Sequence, residues 1–240
     1  MREGARRAVS DTLGFVLVFG LVLSTISVVY VGGFDVLTDA RDTQQFSNTE
    51  RALDVLDANV EDLAVRGAPR RTTEVLLADG ELSFGPAVTF NVTANDTNYY
   101  AATIRPVVYR ANDGDRLVYA NGALFRQYGD DAVMFDEPRF ASGNRTLVPY
   151  VVTRAASDGV SANDARRLLV RTTVNGREVR TFENDSVDLT VTSPRANAWE
   201  RYLEPELNVS CTRPSADRVR CPLDADAVYV QAVGVDVAFT

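Results

Sequence analysis

Three regimes of hydrophobic patterning succeed one another along the chain. The first is continuous. Leu13 to Phe34 reads LGFVLVFGLVLSTISVVYVGGF, 22 residues without a charge, with Ser24, Thr25, Ser27 and Tyr30 as the hydroxyl-bearing side chains. About 20 apolar residues is what a helix needs to cross a ~30 Å hydrocarbon core. Arg2, Arg6 and Arg7 precede the run, and Asp35 and Asp39 follow it. Basic residues bias their end of a span to the cytoplasm, which predicts a single-pass membrane protein with its N-terminus inside and everything after Phe34 outside. The apolar run is too long for a secretory signal core, and no small-x-small site follows it.

The second regime has helical spacing. Phe46, Leu53 and Val60 repeat at seven, with Thr49, Leu56 and Leu63 between them, and Asp54, Asp57, Glu61 and Asp62 fall largely off that face. A 3-4 alternation of this kind is one apolar stripe of an amphipathic helix. Neither Gly nor Pro interrupts Asp35–Arg66, and Gly67 and Pro69 then supply a stop. The pattern predicts a helix continuous with the membrane segment; the alternative is an anchor followed by an independent helix.

From Arg71 onward the period is two. Alternating apolar segments predict strands at Glu74–Leu77, Leu82–Phe84, Val88–Val92, Thr103–Tyr109, Leu117–Ala120, Ala123–Gln127 and Val133–Phe135. The series continues with Leu147–Thr153, Arg167–Val174, Glu178–Phe182, Val187–Thr192, Val219–Leu223, Ala227–Gln231 and Val233–Phe239. Asp79-Gly80, Asn121-Gly122 and Asn175-Gly176 read as two-residue hairpin turns, because these pairs tolerate the two positive φ angles of a type I′ turn. Asn197–Leu203, after Ser193-Pro194, reads as a short helix carrying Trp199. The expected fold is α+β: a long N-terminal transmembrane and amphipathic helix, then a mainly antiparallel, β-sandwich-like extracellular domain. The expected divisions are 1–8, a basic cytoplasmic leader; 9–34, the transmembrane helix; 35–67, its amphipathic extension; and 68–240, the β-rich head.

Charge narrows the functional classes. The chain carries 22 Asp, 11 Glu and 25 Arg, with no Lys and a net charge of −8. This acidity argues against a nucleic-acid partner, which needs clustered positive charge. Acidic, Lys-free composition is also what adaptation to molar salt would produce, where screening shrinks to ~3 Å and dense carboxylates keep a surface soluble. His is absent. Ser-His-Asp and Cys-His catalysis and His-ligated zinc therefore fall away, and Lys nucleophiles with them. The expectation is a protein that is not an enzyme and holds no cofactor or metal.

Cys211 and Cys221, ten positions apart outside the membrane, are expected to form a disulfide. Five N-x-[ST] sequons, at Asn91, Asn95, Asn144, Asn184 and Asn208, all follow the anchor and are candidate glycosylation sites. Asp-rich turns at Asn112–Asp115, Asp130-Asp131 and Asp224–Asp226 lack a complete calcium-loop pattern. Trp199, Tyr202, Tyr99 and Tyr100 are either a binding platform or core packing.

The run Arg6-Arg7-Ala8-Val9-Ser10-Asp11-Thr12-Leu13-Gly14-Phe15 resembles the class III signal of archaeal type IV pilins, and the GFVLVF anchor is similar to that of haloarchaeal pilin-like surface proteins. The resemblance implies cleavage between Ala8 and Val9, with Arg7 as the basic residue, by a prepilin peptidase. It implies membrane lipid and other pilin-like subunits as partners. It also implies a helix that serves as membrane anchor before assembly and filament core afterwards, under a β head displayed for adhesion or assembly, as in a minor pilin or pseudopilin. The alternative is a permanently anchored single-pass envelope protein whose β domain binds a ligand or partner.

Overall fold

A computed structural model describes residues 3–77, 80–95, 98–162, 165–183 and 186–240. Contact density divides the chain into two units, 1–47 and 48–240. Helix α1 (Glu3–Ala64) supplies the described residues of the first. Within it Leu13–Tyr30 has a mean hydropathy of 2.3 and no buried residue. The hydroxyls of Ser24, Thr25 and Ser27 donate to the carbonyls of Gly20, Val22 and Leu23 at 2.8, 2.9 and 2.8 Å. These three hydroxyls are thus satisfied by the helix's own backbone, as an apolar environment requires.

In the second unit the last turns of α1 bury the face that the spacing predicts. Leu53, Leu56, Val60 and Leu63 are buried, and Thr49 with them. The helix ends where Gly67 adopts a left-handed φ of 76° and the Ala68 amide reaches back to the Asp62 carbonyl at 3.1 Å. Arg177 covers the freed carbonyls, bonding Ala64 O at 3.0 Å and also Leu63 O.

The β domain begins with β1 (Arg70–Leu77), β2 (Gly80–Phe84), β3 (Val88–Ala94), β4 (Asn98–Ile104) and β5 (Val107–Ala111). Then come β6 (Arg116–Ala120), β7 (Ala123–Tyr128), β8 (Asp131–Asp136), β9 (Arg145–Ala155) and β10 (Val160–Ala162). It closes with β11 (Arg166–Glu183), β12 (Val187–Thr192), helix α2 (Ala196–Leu207), β13 (Thr212–Ser215), β14 (Arg218–Leu223) and β15 (Ala227–Phe239). Among the described residues these form three sheets, in the orders β1-β11-β15-β9, β10-β2-β5-β6-β7-β8 and β13-β14-β12-β3-β4. The ladders are antiparallel except β15 with β9, which run parallel from Ala227↔Arg145 to Val237↔Ala155.

The structure corrects four local expectations. Asn175-Gly176 is not a hairpin turn: β11 passes straight through it, with a register shift against β15 between Val174 and Gly176. Neither residue has a positive φ. A 13-residue partner runs alongside, and keeping the ladder outweighs the turn propensity of two residues. Ala227–Gln231 and Val233–Phe239 accordingly form one strand, β15. Thr103–Tyr109 is split at Arg105-Pro106 into β4 and β5, which belong to different sheets; Pro106 has no N–H to continue a ladder. Asp79 lies outside the described residues, but β1 and β2 also sit in different sheets, so no hairpin joins them. Asn121-Gly122 is the type I′ pair expected, with φ of 54° and 74° between β6 and β7.

The core gathers the inner faces of all three sheets around α2. Trp199 meets Phe90 edge-on at 5.0 Å and Phe125 at 5.5 Å, and Tyr202 stands 6.2 Å away. Trp199 is 0% exposed and Tyr202 5%. Both belong to the core, and neither can serve as a binding platform. Tyr100 is half-buried and stacks on Tyr150 at 5.9 Å; the Tyr99 side chain lies outside the described ones.

Candidate functional site

One cleft of the β domain combines charge with buried chemistry. It has a volume of about 380 Å³ and lies between the last turns of α1, the β6–β7 turn and the segment that follows β8. Asp54, Asp57 and Glu61 project from α1 at spacings of three and four, hence along one side of the helix. Asp136 and Glu137 face them from the end of β8, with Pro138 and Arg139 next. Asn121 braces the far wall: its Oδ1 accepts from the Val151 amide at 2.8 Å and its Nδ2 donates to Pro149 O at 3.3 Å.

Five carboxylates thus share a small volume, and their electrostatics follow. Burial, then the charges of Asp136 and Glu61, push the Asp57 carboxyl up to about 7, against the opposing pull of Arg139. Burial and the neighbours Glu50 and Asp136 also raise Asp54 above the usual carboxylate range. Arg139 pairs with Glu61 at 2.9 Å and is itself largely exposed. Tyr119 closes the cleft from below. Its hydroxyl is buried and makes no well-formed hydrogen bond, and the Gly122 amide only approaches it. Burial and the nearby Asp57 hold its ionisation far above the ordinary tyrosine range. Among the described residues no group of three acidic or sulfur ligands converges closely enough to hold a metal ion.

A second cleft, of about 500 Å³, lies over β4, β11 and β15 and is lined by Tyr100, Arg154, Arg177 and Glu178 among others. Arg177 is already committed to the end of α1.

The residues singled out from sequence are scattered. Arg7, Ala8 and Val9 have helical backbone within α1, and their side chains lie outside the described ones. Asn91 is half-buried in β3, with its Oδ1 enclosed and unpartnered. Asn95 is exposed at φ 50° and accepts from the Ser186 amide at 3.2 Å. Asn144 is exposed ahead of β9, and Asn208 is exposed at the left-handed end of α2. Asn184 lies outside the described residues. Cys211 and Cys221 are disulfide-bonded, with Cα atoms 4.2 Å apart. Asp113 serves its own turn, accepting from the Asp115 amide at 3.0 Å.

Sequence reasoning missed the cleft. Asp57 and Glu61 read as ordinary charges beside an apolar stripe, and Tyr119 as a strand residue. The available signal was the acidic row Asp54, Asp57, Glu61 bordering a buried helix face.

Comparison with known families gives a match to a family of unknown function, DUF7289, over residues 7–238. The chain belongs to the DUF7289 family. No curated protein and no solved structure matches it. The DUF7289 match takes in both the apolar helix and the β domain, so the two are parts of one family architecture.

Proposed function

We propose that this DUF7289 protein is a membrane-inserted surface protein of pilin-like type, anchored by the first half of α1 and displaying a layered, sandwich-like β head for adhesion or assembly. The observation that carries the reading is Leu13–Tyr30: 18 residues of mean hydropathy 2.3, none buried, whose Ser24, Thr25 and Ser27 hydroxyls are internally satisfied. Such a surface needs lipid around it, or like helices packed against it, and a pilin-type subunit uses both in turn. The basic run Arg2–Arg7 supports a cytoplasmic N-terminus. The Cys211–Cys221 bridge supports a head in an oxidising compartment outside the cell. The pilin-like element rests on the Arg6–Phe15 resemblance, with processing between Ala8 and Val9. Mass spectrometry of the mature N-terminus tests it. A chain beginning at Val9 is the expected result, and a chain beginning at Met1 or Arg2 overturns the processed form.

The second reading is a permanently anchored envelope protein whose β head binds a neighbour. It is favoured by the helical backbone running through Arg7–Val9, since proteolysis concentrates in poorly ordered segments. Both readings place the short Gly67–Pro69 link between α1 and β1 outside, where protease added to intact cells should reach it.

A further inference from the structure

We infer that the cleft formed by Asp57, Glu61, Asp136 and Tyr119 is a binding site for an organic cation, a guanidinium or ammonium head carried on a short apolar stem. Carboxylates from two separate elements line it, and the cation that opposes them, Arg139, spends most of its surface in solvent. Crowded, partly desolvated carboxylates repel one another, and a cationic head placed among them relieves that repulsion. At the base stands the Tyr119 hydroxyl, buried and without a well-formed partner. A ligand N–H placed at the base of the cleft can donate to that oxygen.

The remaining walls suit the stem. Ala64, Val65, Pro138, Pro149 and Val151 are apolar, and the cleft falls in the ~300–1,000 Å³ range of small-ligand pockets. The chemistry is already present in its lining, where the Arg139 guanidinium meets the Glu61 carboxylate. A metal ion suits the site poorly, because the carboxylates do not converge into a ligand set. The head has two possible sources, a free small cation or an arginine side chain of another polypeptide. The inference is independent of the membrane reading.

The test uses the full chain in non-ionic detergent and isothermal titration at pH 8. The probes are agmatine and the capped tripeptide Gly-Arg-Gly, with the citrulline tripeptide as a neutral control. One saturable site is expected for the cations and none for the control. Asp57→Asn should weaken binding about tenfold or more, and Tyr119→Phe about three- to tenfold, with melting curves showing both variants folded. Binding should also weaken as pH falls through 7. There Asp57 gains its proton among Asp54 and Glu61 of α1, Asp136 of β8, Glu137 and Arg139 after it, and Tyr119 of β6. Tighter binding of the tripeptide assigns the head to a partner chain; tighter binding of agmatine assigns it to a small molecule. Absence of saturable binding overturns the inference. So does binding that the Tyr119→Phe chain retains in full, since that would report acidic surface alone.

Discussion

Arg126 on β7 grips Glu50 on α1 through two parallel hydrogen bonds, Nε to Oε2 at 2.7 Å and Nη2 to Oε1 at 2.5 Å. The partners are 76 residues apart, and the same guanidinium lies 5.0 Å over the Phe135 ring. Just beyond Glu50 the helix turns Leu53 and Leu56 into the domain, so this pair orients the first turn of the buried face. Bidentate geometry raises such a pair above the ordinary surface salt bridge, and partial exposure limits it. Arg126→Met should therefore cost about 1 kcal/mol. A double-mutant cycle with Glu50→Gln should return a coupling of about that size in urea melts.

Trp199 tests the core from its centre. Truncation to Ala would empty the space between Phe90 and Phe125 and should cost about 3–5 kcal/mol. The Trp199 Nε1 is buried without a partner, so Trp199→Phe removes an unsatisfied donor along with some volume. That variant should cost about 1–2 kcal/mol, and comparing chemical denaturation of the two separates packing from polar desolvation.

The helical half of this architecture was legible because its signals are local. The stripe Leu53, Leu56, Val60, Leu63 is buried as its spacing predicts, and Gly67 ends the helix. The strand segments were legible for the same reason, through alternation. Their pairing was not. Asn175-Gly176 carries the same turn signal as Asn121-Gly122, yet a 13-residue partner keeps the first extended, while the second turns freely between β6 and β7. Which strand lies beside a given pair is decided at long range, and the parallel β9–β15 ladder is the clearest case. The candidate site failed to show for a related reason: Tyr119 and Asp57 are 62 positions apart, and only folding brings them together.

Asp57 makes the stability of the domain depend on pH. Its carboxyl is held at about 7 in the folded chain against an ordinary 3.8, so between these values the folded state keeps a proton that the unfolded state has lost. Stability contributed by this group is therefore lost as pH rises from about 4 to 7, and stays low above that. Asp57→Asn cannot ionise. Its stability relative to the parent chain should climb across the same window and level off beyond it, in melts recorded at constant salt.

The disulfide ties β14 to the segment between α2 and β13. Cys221 is buried, while the Cys211 amide bonds Glu204 Oε1 at 3.0 Å. A closed loop of ten positions restricts the unfolded chain by about 3 kcal/mol. Replacing both cysteines with Ala should lower stability by about that amount, and reductant should destabilise the parent chain while leaving the double variant unchanged.

The proposed anchor makes the last prediction. Leu21 and Val22 lie near the middle of Leu13–Tyr30, where an arginine in a spanning helix costs about 2.5–3.5 kcal/mol. Leu21→Arg with Val22→Arg adds two such penalties at adjacent positions, so at most one can point toward a given neighbouring helix and neither is near enough to a membrane surface to reach water cheaply. The doubly substituted chain should lose its membrane association, measured by flotation on a density gradient. Leu21→Ala with Val22→Ala alters the same two positions but keeps the segment apolar, and it should still float. If the arginine pair floats as well, Leu13–Tyr30 does not hold the protein in a bilayer, and its exposed apolar surface must be covered by protein instead.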